Sequence, residues 1–266
     1  MIKHKKLVRY FVSLAVIVLM VGIAGWTDEK EILFPEMVAL TIGLLIIDKW
    51  VWCVKPWQIV LLMSVGAAAG ICIVRYSPLP YFINLCLAFA FAGICLLVSR
   101  TTLIPLISAC VLPVLLHTES IVYPSAVLIM CVLAVFIQKM MEKYGFRSQI
   151  IHTPGRKPTG KDVARWGILL VFVALISLLA ISLDCPYLIL PPLMVTFAEM
   201  VNSKAGFRSR PTQVFLFLAT AATLGTVFQL IGYHYLHLPE SLVALGIAVS
   251  CLLYTSPSPR DRSLSR

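Results

Sequence analysis

The chain has 266 residues, of which 60% are hydrophobic and only 13% charged, with a mean hydropathy of +0.94. A soluble domain carries about 45–50% apolar and about 25% charged residues, so a water-soluble globule, a disordered chain, a collagen-like chain and a small disulfide-stapled fold are excluded. The formal net charge of +10 invites a nucleic-acid reading, but basic residues gathered in loops between apolar runs follow instead from the positive-inside rule.

A membrane-crossing helix needs about 20 apolar residues, and runs of that kind follow one another along the chain. The first, Leu7–Gly25, comes after the basic stretch Met1–Lys6. No small-x-small cleavage pattern precedes Trp26 and more runs follow, so it reads as a retained signal-anchor helix. Leu33–Trp52 is second and carries Pro35 and Glu36; Trp57–Val74 is third, opened by Lys55-Pro56. Tyr81–Ser99, the short run Leu103–Leu116 and Ile121–Met141 complete six crossings, and residues 1–141 are expected to form one transmembrane unit. Glu142–Asp162, polar, basic and rich in turn formers, reads as a cytoplasmic linker whose cations face anionic head groups. Val163–Leu183, Tyr187–Val201, Thr212–Tyr233 and Ser241–Ser250 follow, making residues 163–250 a second unit. The expected fold class is all-α, a polytopic transmembrane bundle of about ten spans.

Counting charges tests this alternation. With the N-terminus inside and every run crossing once, Lys3, Lys5, Lys6, Arg9, Lys49, Lys55, Arg100, Lys139, Lys143, Arg147, Arg156, Lys157, Lys161, Arg165, Lys204, Arg208 and Arg210 fall inside. Only Lys30 and Arg75 fall outside. That asymmetry supports the alternation, with the N-terminus expected in the cytoplasm; the membrane expected is the plasma (inner) membrane of a bacterium. Leu103–Leu116, broken by Pro105 and Pro113, is the least secure crossing.

The two units share a pattern. Arg9-Tyr10 matches Arg165-Trp166, Leu33-Phe34-Pro35 matches Ile189-Leu190-Pro191, and Lys55-Pro56-x-Gln58 matches Arg210-Pro211-x-Gln213. Gly66-x-x-x-Gly70 matches Ala221-x-x-x-Gly225, and Leu79-Pro80 matches Leu238-Pro239. Offsets held near one value point to a duplication. Because six crossings separate the copies, they are expected to be parallel, with the second cut short.

The tail, residues 251–266, resembles translated sequencing-adapter DNA: Cys251-Leu-Leu-Tyr-Thr-Ser-Pro-Ser-Pro-Arg-Asp261 fits such a reading frame, and the last five residues fit its continuation. Setting aside its three arginines and one aspartate leaves a net charge of +8. Natural sequence is expected to run on past Ser250.

Four constellations stand out. The small residues Gly66, Gly70, Ala221 and Gly225 suit close helix packing, expected between the two halves. Glu36 and Glu199 are the carboxylates set well inside apolar runs, costly there and so candidates for a solute path. Pro35, Pro191 and Pro192 are expected to interrupt the second helix of each half, and Pro105 and Pro113 the fifth. Such breaks in corresponding positions point to a transport site. Arg100, with Thr101 or Thr102 as a helix cap, offers an anion contact at the mouth of that fifth helix. His117, His152, His234 and His237 are too scattered for a metal site, and the cysteines contain no Cys-x-x-Cys. No metal, cofactor or catalytic motif is read, and the chain is not expected to be an enzyme.

Taken in order, these motifs resemble the HPP family of membrane proteins. The resemblance rests on Pro35-Glu36-Met37, Lys55-Pro56, Gly66, Gly70 and Arg100-Thr-Thr-Leu-Ile-Pro105-x-x-Ser108-Ala109, and again on Pro191-Pro192-Leu193, Arg210-Pro211 and Gly225. The name-giving His-Pro-Pro stands here as Leu103-Ile104-Pro105. The resemblance implies a role in moving a small anion, nitrite in some members, across a membrane. The function expected is therefore a permease for a small anionic solute, with Pro35, Glu36, Arg100, Thr101, Pro105, Pro191, Pro192 and Glu199 along its path. A non-transporting membrane scaffold is the alternative. Expected partners are the lipid bilayer, a small anion and a second copy of the chain, with no nucleic acid.

Overall fold

Proline sets where most of the helices begin. In the computed structural model, which describes residues 2–47, 52–149, 155–184, 189–202, 211–237 and 246, every regular element is helical and none of the described residues forms a strand. The helices are α1 (Ile2–Thr27), α2 (Glu36–Thr41), α3 (Pro56–Tyr76), α4 (Tyr81–Ser99), α5 (Pro105–Leu116), α6 (Val122–Lys143), α7 (Gly160–Ser182), α8 (Pro191–Asn202) and α9 (Pro211–Gln229). A π-helical turn, Ile42–Ile46, prolongs α2, and another, Leu230–Tyr235, prolongs α9. Pro56, Pro105, Pro191 and Pro211 are first residues of their helices, and Pro35 and Pro80 immediately precede theirs. The first turn needs no amide donor, so proline costs nothing there and presets φ.

This corrects one expectation. Pro35, Pro105 and Pro191 start short helices and do not kink long ones; only Pro113 lies inside α5. Proline at that position removes the amide that would bond Ala109 O one turn back. The phenol of Tyr123 on α6 donates to that carbonyl instead, at 3.2 Å.

Six stretches are long and apolar enough to cross a membrane: Lys5–Thr27, Pro56–Tyr76, Tyr81–Ser99, Val122–Lys143, Gly160–Ser182 and Pro211–Gly232. The described residues of the runs expected at Leu33–Trp52, Leu103–Leu116 and Tyr187–Val201 hold shorter helices. The last run, apart from Gly246, and the tail 251–266 lie outside the described residues. On α7 the large side chains Val163, Ile168, Val171, Phe172, Leu175, Ile176 and Leu179 are exposed. Only the stripe Leu169, Val173, Ser177 and Ala180 is buried. An apolar face of that extent suits lipid and not water, and the helices are compatible with a multi-pass membrane protein.

The chain divides into two compact units that do not follow the two sequence halves. One gathers the described residues of Met1–Val51, Leu133–Ile150 and Arg210–Arg266; the other those of Trp52–Val132 and Ile151–Ser209.

In the second unit α5 is the centre, with Pro105 through Val114 all buried against α3, α4 and α8. Glycine lets α3 approach. A Cβ on Gly66 would meet Leu106 Cδ1 at 2.5 Å, and one on Gly70 would overlap the Cys110 carbonyl and sit 3.0 Å from Pro113 Cγ. The close packing expected of Gly66 and Gly70 is present, but its partner is α5 of the same sequence half. The buried side chains of α3 run Ile59, Leu62, Met63, Gly66, Ala67, Gly70, Ile71, the three-and-four spacing of one helix face. On α4 the equivalent face includes Phe89 and Gly93, against which Trp166 of α7 packs, its Cε3 at 3.0 Å from where a Gly93 Cβ would stand.

The ends of α4 and α5 fix their relative direction. Each closes on a left-handed residue, Arg100 (φ 54°) and His117 (φ 52°). In each, the next two amides turn back, Arg100 N to Leu97 O and Thr101 N to Leu96 O, then His117 N to Val114 O and Thr118 N to Pro113 O. This is the six-to-one pattern that satisfies orphan carbonyls at a helix end. The His117 ring at the end of α5 stacks on Tyr81 at the start of α4, centroids 5.0 Å apart. The chain from Ser99 to His117 therefore runs back the full length of α4, although α5 itself has only 12 residues.

Candidate functional site

In the first unit the buried polar groups gather where α6 ends. Gly145 (φ 69°) supplies the left-handed turn that L side chains resist, and Phe146 N bonds Met141 O. The turn points its own carbonyls at α1: Lys5 Nζ donates to Gly145 O at 2.8 Å and Arg9 Nε to Phe146 O at 2.8 Å. Arg147, 3% exposed, extends to the end of the π turn. Its Nη2 donates to Ile47 O at 2.7 Å and to Gly43 O at 3.3 Å. A helix C-terminus leaves its last carbonyls unpaired and carries negative partial charge, so a guanidinium meets both needs. The first turns of α1, the π turn after α2 and the end of α6 thus share one face of this unit.

Glu36 sits at the other end of α2, 6% exposed and about 10 Å along the helix from Gly43. Its Oε2 has no hydrogen-bond partner among the described residues, and neither do the buried Ser13 Oγ and Gln138 Oε1. Gln138 Nε2 donates to Glu142 Oε1 at 2.9 Å. Thr41, fully buried, bonds back to Met37 O and Val38 O of its own helix. A carboxyl with an open oxygen among apolar helices is expensive unless a ligand or proton meets it. Pro35, just before it, is exposed.

In the second unit the segment before α3 lies on the loop between α4 and α5. Cys53 N donates to Thr102 Oγ1 at 2.9 Å, and the Thr101 and Ser99 hydroxyls pair at 2.9 Å. Neither threonine caps α5, whose N-cap is Ile104 with no side-chain bond. The amides of Leu106 and Ile107 close on Leu103 O and Ile104 O. The expected threonine cap is thus replaced by a tight turn of the backbone itself. Arg100 is exposed, Thr101 and Pro105 buried.

Glu199, half-buried on α8, is the electrostatic neighbour of the buried Trp52 indole, which makes no regular hydrogen bond. Pro191 is buried and Pro192 exposed at the start of α8, about 12 Å along the helix from Glu199. The fold therefore brings Thr102 to Cys53 and Glu199 to Trp52, pairs Thr101 with Ser99, and leaves the α8 prolines at the far end of their helix.

Ala221 and Gly225 are half-exposed on α9. No group of three or more His, Cys, Asp or Glu side chains that could hold a metal occurs among the described residues. His152 and Cys185 lie outside them. In the sequence Arg9 stands out as an inside charge and as part of the repeated pattern, and Arg147 as an inside charge, and nothing in their spacing announces the carbonyls they bind. A scan against protein-family models and searches of curated proteins and of solved structures find no match.

Proposed function

We propose that the chain is a multi-pass permease for a small anionic solute, of the type that its resemblance to the HPP family implies. The observation that carries this reading is the set of short helices α2, α5 and α8, each begun at a proline, with the buried Glu36 on α2, the buried Thr101 in the loop before the packed α5, and the half-buried Glu199 on α8, all among apolar side chains. Discontinuous helices in membrane proteins survive where protein or a wet path covers their ends.

The ten-span topology has support of the same kind. The return of α5 to the level of Tyr81 favours counting Leu103–Leu116 as a crossing. The bonds from Lys5 and Arg9 to the turn after α6 favour an even number of crossings between them. The duplication has support in the helix starts: Glu36 and Pro191, like Pro56 and Pro211, stand 155 residues apart. The orientation, with the N-terminus in the cytoplasm, rests on the charge asymmetry. A scaffold role would draw on the small-residue face of α3, and that face is already covered by α5.

The test is flux in proteoliposomes with nitrite, nitrate and formate, and potassium as the cation control. Anion flux that drops about tenfold or more in Glu36→Gln supports the reading. No flux of any of the three anions contradicts it. Flux unchanged in Arg100→Ala removes Arg100 from the path.

A further inference from the structure

Gly155 lies against the backbone carbonyl of Arg100, so close that a Cβ there would overlap it. That contact ties the segment leading into α7 to the end of α4 and sets Arg156 and Lys157 beside Arg100. Arg156 Nη2 then donates to Asp162 Oδ2 at 2.9 Å, and Arg165 Nη1 stands 3.6 Å from Oδ1. The same carboxylate accepts the Thr159 amide at 2.8 Å and hydroxyl at 2.7 Å. Its capacity is taken up by groups of the chain, which holds the carboxyl well below the usual aspartate range. Arg156 and Arg165 thus share one spoken-for acid, and Arg100, Lys157 and Lys161 add three cations on the chain stretches that the Gly155–Arg100 contact joins. Arg100, Arg156, Lys157 and Lys161 are exposed.

Directly after these cations the exposed face of α7 becomes a column of large apolar side chains at three-and-four spacing, Ile168, Phe172, Leu175 and Leu179. Cations above such a column match a molecule with a phosphate at one end and acyl chains at the other. A soluble phosphate would use the first part and leave the second unexplained. We propose that this cluster is a binding site for the head group of an anionic phospholipid, whose chains lie along α7. Basic pockets at helix ends on the cytoplasmic side recognise lipid phosphates through this chemistry. The proposal rests on α7 lying in a bilayer, the membrane part of the preceding reading, and not on solute transport.

The test presents phosphatidylglycerol and phosphatidylcholine in equal amounts to the full chain in detergent, and reads retained lipid by native mass spectrometry. The site predicts preferential retention of phosphatidylglycerol. In the triple variant Arg156→Gln/Lys157→Gln/Lys161→Gln, its affinity drops on the order of 100-fold, at about 1 kcal/mol per cation. Lys157→Arg/Lys161→Arg keeps the preference, which separates lost charge from lost fold. Equal retention of both lipids by the unaltered chain, or an undiminished preference in the triple variant, overturns the proposal. Displacement of phosphatidylglycerol by millimolar inorganic phosphate also overturns it, by making the site one for a soluble anion. A chain that selects phosphatidylglycerol yet carries no anion fails the permease reading and keeps this one.

Discussion

Gly66 and Gly70 lie one turn apart on the same face of α3, yet alanine should affect them differently. At Gly66 the new methyl meets Leu106 Cδ1 at 2.5 Å, the far end of a side chain that can turn away. Alanine is worth about 1 kcal/mol over glycine within a helix, which offsets most of that adjustment, so Gly66→Ala should change stability by less than about 1 kcal/mol. At Gly70 the methyl runs into the Cys110 carbonyl, with Pro113 Cγ at 3.0 Å closing the other side. Neither can rotate, and α3 must move off α5. Overpacking of a tight core costs about 1–3 kcal/mol; taking the upper end and subtracting the propensity gain leaves a loss of about 2 kcal/mol. Unfolding in detergent, followed by far-ultraviolet circular dichroism through a dodecyl sulfate titration, reads the difference. A Gly70→Ala protein as stable as the unaltered chain, or less affected than Gly66→Ala, would refute the packing argument.

Other outcomes follow from single contacts. Tyr123→Phe leaves Ala109 O without its phenol donor in a helix already interrupted by Pro113, and should cost about 1–2 kcal/mol in the same titration. Arg147→Ala removes the donor from Ile47 O and Gly43 O and should cost about 2–3 kcal/mol, with Arg147→Lys recovering only part. The Asp162 carboxyl, held down by the Thr159 side chain, the Thr159 amide and Arg156, should titrate below the ordinary aspartate value of about 3.9 in carbon-detected NMR. A depressed value means that its contribution to the start of α7 is complete above the unfolded value and fades as pH falls through the lower folded one; titration at the ordinary value would refute the capping geometry. A nitroxide at Leu175, on the exposed face of α7, should collide more with dissolved oxygen than with a water-soluble nickel chelate, and the reverse order would place that face in water.

The long helices were legible because an uninterrupted apolar run leaves a chain in lipid no other way to satisfy its backbone; α4 covers Tyr81–Ser99 as the run predicts. The short helices were legible only as positions. Pro35, Pro105 and Pro191 mark them, but the same residue type breaks a helix from within and opens one from its first turn, and composition does not decide between the two. The Gly66–Gly70 face announced a close approach and not its partner, since small residues carry no record of what fills the space they leave. The polar face around Arg147 was hidden for a further reason. Its acceptors, Gly43 O, Ile47 O, Gly145 O and Phe146 O, are backbone atoms, and those every residue has. Glu36 is legible because a lone charge in an apolar run is visible in any sequence, and the fold buries it.

Sidedness of labelling is the most direct test of the membrane topology. Single cysteines at Lys6 and at Ser148, in an otherwise cysteine-free chain, are treated with an impermeant maleimide in right-side-out and in inverted membrane vesicles. With Lys5 and Arg9 bonded to the turn at Gly145–Phe146, both positions should label in inverted vesicles and neither in right-side-out ones. Labelling of the two positions from opposite sides would contradict the account.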